Sequence, residues 1–210
     1  MNKEEYFVGV RKSLVNATDL FDDAEILLNQ KRYPRAYTLF QFAIEEIGKA
    51  SMIFEFLLNT DYENKIEQNK FKKKFIDHKS KIESSIGIDL LLAFSIPNQK
   101  LKSKLIHNVN RQQNKINELN NLKNSSLYTD IVNDRFILPN ELINEKMVSE
   151  IQFISNLRLK SAKQIYEIAL GNFDKLHEDY KNINEDEMIN NPPEEILQLI
   201  KLKTGIVIIK

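Results

Sequence analysis

The sequence contains no cysteine and no tryptophan, and it has only five glycines and five prolines. The lack of cysteine excludes disulfides, thiolate metal sites and cysteine nucleophiles. So few glycines and prolines do not supply the turns of a sandwich or barrel with many hairpins. The apolar runs, such as Leu90–Phe94, are far too short to span a bilayer. These absences favour a folded helical protein without a membrane-spanning segment.

The formal net charge is zero, so no overall field draws the protein to nucleic acid. The charges are nevertheless unevenly distributed, because residues 63–123 are rich in lysine and residues 174–195 are rich in acids. This asymmetry fits a basic surface that holds RNA or a ribosome, and it fits equally well a solvated lysine-rich helix face. The N-terminal segment carries acids and has no continuous apolar stretch, which is unlike a signal peptide. We therefore expect a cytoplasmic protein.

Hydrophobic residues recur at steps of three and four along most of the chain, which predicts amphipathic helices. Residues 125–139 are predicted to form a loop or a short extended piece, and Gly171 is a natural helix C-cap. We expect an all-α bundle in residues 1–171 and a C-terminal extension in residues 172–210, with short helices and a β-branched end that suits an edge strand or an oligomer contact. The bundle is predicted to have about five main helices, near 3–29, 34–58, 67–83, 99–123 and 140–170, with a short apolar helix at 88–94.

Three polar residues interrupt the apolar stripes of the second and third predicted helices. Glu46 and Lys49 fall on one stripe, and His78 stands where the spacing from Phe71 to Ile82 calls for a hydrophobic residue. Buried charges are costly unless they are paired, so the three are predicted to form one cluster. A histidine tuned by such neighbours suits general acid–base chemistry. The alternative is an ordinary Glu46–Lys49 pair beside a core histidine.

Three segments resemble those of the AbiV abortive-infection proteins, and they occur in the same order between about Tyr33 and Pro139. Residues 43–50, Ala-Ile-Glu-Glu-Ile-Gly-Lys-Ala, are similar to the A-x-EE-x-GK segment of that family. Residues 75–81 and 126–130 are similar to its H-x-x-K and L-Y-x-D segments. The resemblance implies a HEPN-like helical bundle that acts as a homodimer in defence against phage. It also implies that the protein halts translation and is activated by a phage-encoded partner.

Many HEPN proteins are metal-independent ribonucleases with an R-x4-6-H motif, and this sequence departs from that motif. No arginine precedes a histidine at that spacing, and the nearest equivalents are Lys72 and Lys73 ahead of His78. Lysine stabilises a phosphate as a point charge but cannot bind it bidentately. Two hypotheses therefore remain open, an RNA-cutting effector and a non-catalytic binder of ribosome, RNA or a phage protein. A third option is the partner of a nucleotidyltransferase.

Under the RNA-cutting hypothesis, His78 acts as general acid or base, Glu46 orients it, and lysines stabilise the phosphoryl charge. No cofactor and no metal are expected. The predicted catalytic residues are His78, Glu46, Lys49 and Lys81. The predicted supporting residues are Glu45, Lys73, Tyr128 and Asp130. The predicted RNA contacts are Lys70, Lys72, Lys74, Lys79 and Arg111.

Overall fold

The computed structural model describes residues 1–95 and 99–181, and this part of the chain is largely helical. A short antiparallel hairpin of two strands, β1 (Asp130–Val132) and β2 (Arg135–Ile137), interrupts the helices. The all-α class predicted from the sequence is confirmed, although the described residues form nine helices rather than about five. These are α1 (Lys3–Asn29), α2 (Tyr33–Asn59), α3 (Lys65–Ile76), α4 (His78–Ser95), α5 (Gln99–Gln113), α6 (Ile116–Leu127), α7 (Pro139–Leu142), α8 (Glu145–Gly171) and α9 (Phe173–Lys181).

The second helix, α2, is the centre of the fold, since it packs against α1, α4, α6 and α8. It starts at a turn in which Lys31 has a positive φ of 58°, and Pro34 occupies its first turn, where a missing N–H costs nothing. The main core lies between these helices and reaches α9 through Phe173. Its fully buried members include Val10, Ala17, Ile47, Ala50, Leu57 and Ala162.

The third predicted helix is broken at Asp77, and its second half joins the predicted apolar helix to form α4. Asp77 has an extended backbone, and its Oδ2 accepts hydrogen bonds from the Ser80 N–H and hydroxyl, both at 2.7 Å. These bonds cap the helix and lower the pKa of Asp77. His78 is therefore the first residue of α4 rather than a mid-helix residue. The spacing of apolar residues does not reveal this break, because the same pattern continues across Asp77 without interruption.

The other boundaries also differ from the prediction in places. The fourth predicted helix breaks between Gln113 and Ile116, and the predicted loop contains the hairpin, whose turn residues Asn133 and Asp134 have φ of 51° and 59°. Both residue types tolerate this left-handed conformation, which a tight hairpin requires. The predicted extension after residue 171 stays a prediction, and the predicted terminal strand lies outside the described residues. Among the described helices, none combines the length and apolarity needed to cross a membrane.

A buried ion pair fastens α8 to α4 and α5. Arg158 is only 2% exposed, and its guanidinium donates to both carboxylate oxygens of Asp89, at 3.1 and 2.7 Å. It also donates to the hydroxyl of Ser85 at 3.0 Å and to the side-chain oxygen of Gln112 at 2.5 Å. Because four donor–acceptor contacts satisfy one buried cation, this network fixes the position of α4 along α8.

Replacing Arg158 by alanine is expected to lower the free energy of unfolding by about 3–5 kcal/mol, because Asp89 is left without its buried partner. Urea denaturation followed by circular dichroism measures the change. Lys163→Ala, at an exposed position on the same helix, is the control and is expected to stay within about 0.5 kcal/mol of the parent. Equal effects of the two substitutions would contradict this role for Arg158.

Candidate functional site

A buried carboxylate joins three helices near the middle of α2. The side chain of Glu45 is only 5% exposed, and its Oε2 lies 2.6 Å from Nδ1 of His78 on α4. Its Oε1 accepts from the ammonium of Lys123 on α6, also at 2.6 Å. Both carboxylate oxygens are therefore satisfied, as burial of a charge requires. Glu45, His78, Lys123 and the adjacent Lys81 are called the Glu45 cluster below.

The cluster opens to the surface at His78, whose side chain is 56% exposed. Because a carboxylate only accepts hydrogen bonds, Nδ1 carries the proton in the contact with Glu45. The second ring nitrogen, Nε2, has no hydrogen bond within residues 1–95 and 99–181. The imidazole is thus oriented from inside the protein while its other nitrogen is left for a ligand. This is the arrangement that acid–base catalysis requires.

Gly48 sets the distance between the two helices that carry Glu45 and His78. A Cβ at this position would lie 1.8 Å from the carbonyl oxygen of Lys81, so the α4 backbone rests directly on α2. Only glycine permits so close an approach. Gly48 follows Glu45 by one turn, and Lys81 follows His78 by one turn. The contact therefore aligns the two turns and brings the imidazole to the carboxylate.

Lys81 is the cation of the cluster that has no direct partner. Its side chain is buried, and within the described residues it makes no hydrogen bond or ion pair. Burial lowers the pKa of Lys81, while the nearby charge of Glu45 partly opposes this effect. Since Glu45 is already shared by His78 and Lys123, the Lys81 ammonium is available to an anion.

Glu46, which the sequence predicted as the residue that orients His78, contacts Lys49 instead. The Lys49 ammonium donates to Oε1 of Glu46 and lies 5.6 Å from the centre of the Phe75 ring. Consecutive residues of a helix point about 100° apart, and α4 lies on the side of Glu45 and Gly48. Glu45 is therefore the carboxylate partner of His78, and the assignment of that contact to Glu46 is wrong.

Two predicted supporting residues lie just beyond the C-terminus of α6. Tyr128 is 63% exposed, and Asp130 bonds locally, accepting from the Ser125 hydroxyl at 3.3 Å and from the Ile131 N–H at 2.8 Å. In the described part of the chain, no hydrogen bond or ion pair connects either residue to the Glu45 cluster. The structure therefore gives them no contact that would support the predicted role.

An exposed basic surface covers α3 and the start of α4. It consists of three predicted RNA contacts, Lys72, Lys74 and Lys79, together with the predicted supporting residue Lys73. None of these four lysines forms an ion pair with another described residue, whereas Lys70 pairs with Glu67 at 2.7 Å. The helix is held to the core by Phe71, which stacks on Phe56 at a centroid distance of 4.5 Å. Arg111 lies outside the described side chains. The basic surface leads directly to His78.

Lys123 is the member of the cluster that sequence reasoning missed. A signal for it exists, because Ile116, Leu119, Lys123 and Ser126 recur at steps of three and four on α6. Both polar members of this stripe are buried. Ser126 lies 2.7 Å from the hydroxyl of Thr38 on α2, so α6 is fastened to α2 one turn beyond Lys123.

The chain matches the protein-family model HEPN_AbiV, described as AbiV, over residues 5–159. The match covers more than half of the chain and includes every residue of the Glu45 cluster. It confirms the resemblance seen in the sequence. No curated protein and no solved structure gives a significant match.

Replacing Gly48 by alanine is expected to push α4 away from α2, because the new methyl group would collide with backbone that cannot turn aside. The expected loss is about 1–3 kcal/mol in the free energy of unfolding, measured by urea denaturation, with a displaced His78 resonance in NMR spectra. Gly87→Ala in α4 is the matched control, since nothing lies within 4 Å of its added Cβ. It is expected to stabilise by about 0.5–1 kcal/mol. A Gly48→Ala protein as stable as the parent would contradict the close packing.

Replacing Lys81 by methionine is expected to raise stability at pH 7 by about 1 kcal/mol, because a partly desolvated cation without a direct partner is replaced by an apolar side chain of similar length. The lowered pKa means that, between the folded pKa and 10.5, the unfolded chain binds more protons than the folded chain. Stability of the parent therefore rises with pH in that window, and the advantage of Lys81→Met shrinks there. Urea titrations at pH 7 and at about pH 9.5 measure both effects. Lys79→Met is the exposed control, and a Lys81→Met protein less stable than the parent would contradict the assignment.

Proposed function

This chain belongs to the AbiV family of HEPN proteins, and we propose that it is an abortive-infection effector that cuts RNA at the Glu45 cluster and thereby stops translation. One observation carries the proposal. A solvent-exposed histidine is held through Nδ1 by a buried carboxylate, so that Nε2 faces the surface as an oriented acid or base. The proposed place of action is the cytoplasm, where RNA and ribosomes lie.

The proposed reaction is the attack of a ribose 2′-oxygen on the neighbouring phosphorus, which breaks the bond to the 5′-oxygen. As base, His78 takes the 2′-hydroxyl proton at Nε2, and the leaving 5′-oxygen takes a proton from water. As acid, His78 instead gives its Nε2 proton to the leaving oxygen, and water takes the 2′-hydroxyl proton. In both cases Glu45 keeps the ring in place through its contact with Nδ1.

The lysines have separate proposed roles. Lys81, whose ammonium is not neutralised by a direct partner, would stabilise the charge that develops on the phosphoryl oxygens. Lys123 is a positioning residue, because it acts only through Glu45. The basic surface of Lys72, Lys73, Lys74 and Lys79 would hold neighbouring phosphates, which fixes register without reading sequence. We also propose that the protein works as a homodimer and is activated by a phage-encoded protein. Both statements are inferred from its membership of the AbiV family.

The second candidate function is a binder that blocks translation without cutting RNA. It is favoured by the same four lysines, since exposed cations without ion pairs are what an RNA backbone or a ribosome surface requires. In that case the Glu45 cluster only holds α2, α4 and α6 together. The two functions differ in what substitution of His78 does.

His78→Ala is expected to lower RNA cleavage by about 10²- to 10⁴-fold, the usual contribution of a general acid or base. Glu45→Gln is expected to lose most of the activity as well, because the ring loses its anchor. Glu46→Gln is the matched control on the next residue and is expected to keep most of the activity, since Glu46 contacts Lys49 and not His78. Phage titre in challenged cultures and primer extension on RNA from infected cells measure the outcome, with thermal unfolding of each purified variant as a test of folding.

Two results would decide against this proposal. If His78→Ala and Glu45→Gln fold, protect cells and leave the RNA pattern unchanged, the Glu45 cluster is not a catalytic site. If the parent protein produces no discrete RNA cuts during infection, while replacing Lys72, Lys73, Lys74 and Lys79 together by alanine abolishes protection, the binder is the correct function.

A further inference from the structure

The outer face of α8 carries a regular seam of exposed and half-buried residues. Its members alternate at steps of four and three, which is the a/d spacing of a coiled coil. At its centre are two apolar residues on the surface, Phe153 at 68% and Leu157 at 45% exposure. The whole seam, called the α8 seam below, consists of Lys146, Glu150, Phe153, Leu157, Lys160, Gln164 and Glu167.

The surroundings of Phe153 and Leu157 are those of an uncovered contact surface. An open depression beside Phe153 is lined by Lys146, Ser149, Glu150, Phe153 and Ile154. The charged members of the α8 seam form no ion pair within residues 1–95 and 99–181. Two adjacent large apolar side chains between unpaired charges of both signs are typical of an interface core with a polar rim.

We propose that the α8 seam binds the α8 seam of a second copy of this chain, with the two helices antiparallel about a two-fold axis that passes between Phe153 and Leu157, level with the buried Ser155. This pairing places Phe153 opposite Leu157 of the second copy, because the two residues are equally far from the axis on either side. Glu150 then faces Lys160 of the second copy. The symmetry makes each of these contacts twice.

Charge decides both the partner and the direction. In the antiparallel pair, each layer of the contact joins an a position of one copy to a d position of the other. The layer next to the Phe153–Leu157 contact therefore joins the acid Glu150 to the base Lys160. A parallel pair would place Glu150 beside Glu150 and Lys160 beside Lys160, which is repulsive. Along the seam the order is Glu150, Phe153, Leu157 and Lys160. This order pairs opposite charges only when the two helices run in opposite directions.

The depression agrees with this register. Its lining spans residues 146–154, and the two-fold axis level with Ser155 brings residues 156–164 of the second copy over it. Leu157 and the aliphatic part of Lys160 of that copy are therefore the side chains that fill the depression. The inference rests on the homodimer of the proposed function and gives it a surface. The α8 seam contains no residue of the Glu45 cluster, so the interface and the chemistry can be tested separately.

Charge reversal and its repair test the pairing. Sedimentation velocity over a range of concentrations is expected to show a reversible dimer of the full chain. E150K or K160E alone is expected to weaken the dimer by about tenfold or more, because each creates two repulsive pairs. The double variant E150K/K160E is expected to restore the dimer, and L157D is expected to abolish it. K12E, at an exposed position on α1, is the control for the change in net charge.

Distances between labels test the direction independently. The chain has no cysteine, so one introduced cysteine gives one spin label per copy. At a rise of 1.5 Å per residue, labels at positions 163 and 167 are expected to be offset along the helices by about 24 and 36 Å in the antiparallel pair. In a parallel pair both would be separated by about 10 Å.

Three results would overturn the inference. These are a parent protein that is monomeric at every concentration, a dimer that L157D leaves intact, and a double variant that is no more dimeric than E150K or K160E. All the substituted residues are exposed, so circular dichroism is expected to show unchanged folding. A dimer behaving as described, in a protein whose RNA cleavage does not depend on His78, would leave the interface standing and reject the proposed chemistry alone.

Discussion

The contact of the α4 backbone with Gly48 is the constraint on which the candidate site depends. Helices normally pack about 8–10 Å apart because side chains separate them. Here the carbonyl oxygen of Lys81 occupies the space that a side chain would fill. At this spacing the carboxylate of Glu45 on α2 reaches the imidazole of His78 at the start of α4. A wider separation would leave Glu45 buried with Lys123 alone, and His78 would turn to solvent without an anchor.

The charges around this contact are distributed in a way that stability alone does not explain. Glu45 is shared by two partners from different helices, and Glu46 is paired with Lys49. This leaves Lys81 as a largely buried side chain whose ammonium has no direct partner among the described residues, and burial lowers its pKa. Charged groups perturbed in this way cluster at functional sites, where they interact with a ligand. Arg158, by contrast, donates to both carboxylate oxygens of Asp89 and to the Ser85 hydroxyl, and so holds α4 to α8.

The sequence predicts the long elements well and the contacts between them poorly. The ends of α1, α2 and α8 lie within a few residues of the predicted ends because each helix has a long periodic stripe. The same periodicity points to Glu46, Lys49 and His78 as anomalous. Periodicity indicates which side of one helix is buried, however, and does not say which neighbouring helix a residue faces. The contact with His78 was therefore assigned to Glu46 instead of Glu45. The break at Asp77 depends on a local cap, and Lys123 reaches Glu45 across a separation of 78 residues. Neither feature appears in a periodic pattern.

The spacing between Glu45 and Gly48 has a consequence for how this protein tolerates change in length. One inserted or deleted residue between these two positions would rotate the carboxylate by about 100° relative to the glycine. The composition of α2 would hardly change, yet the acid would leave His78 while the close helix contact stayed in place. The contact between Glu45 and His78 therefore depends on the number of residues from Glu45 to Gly48 as much as on their chemical identity.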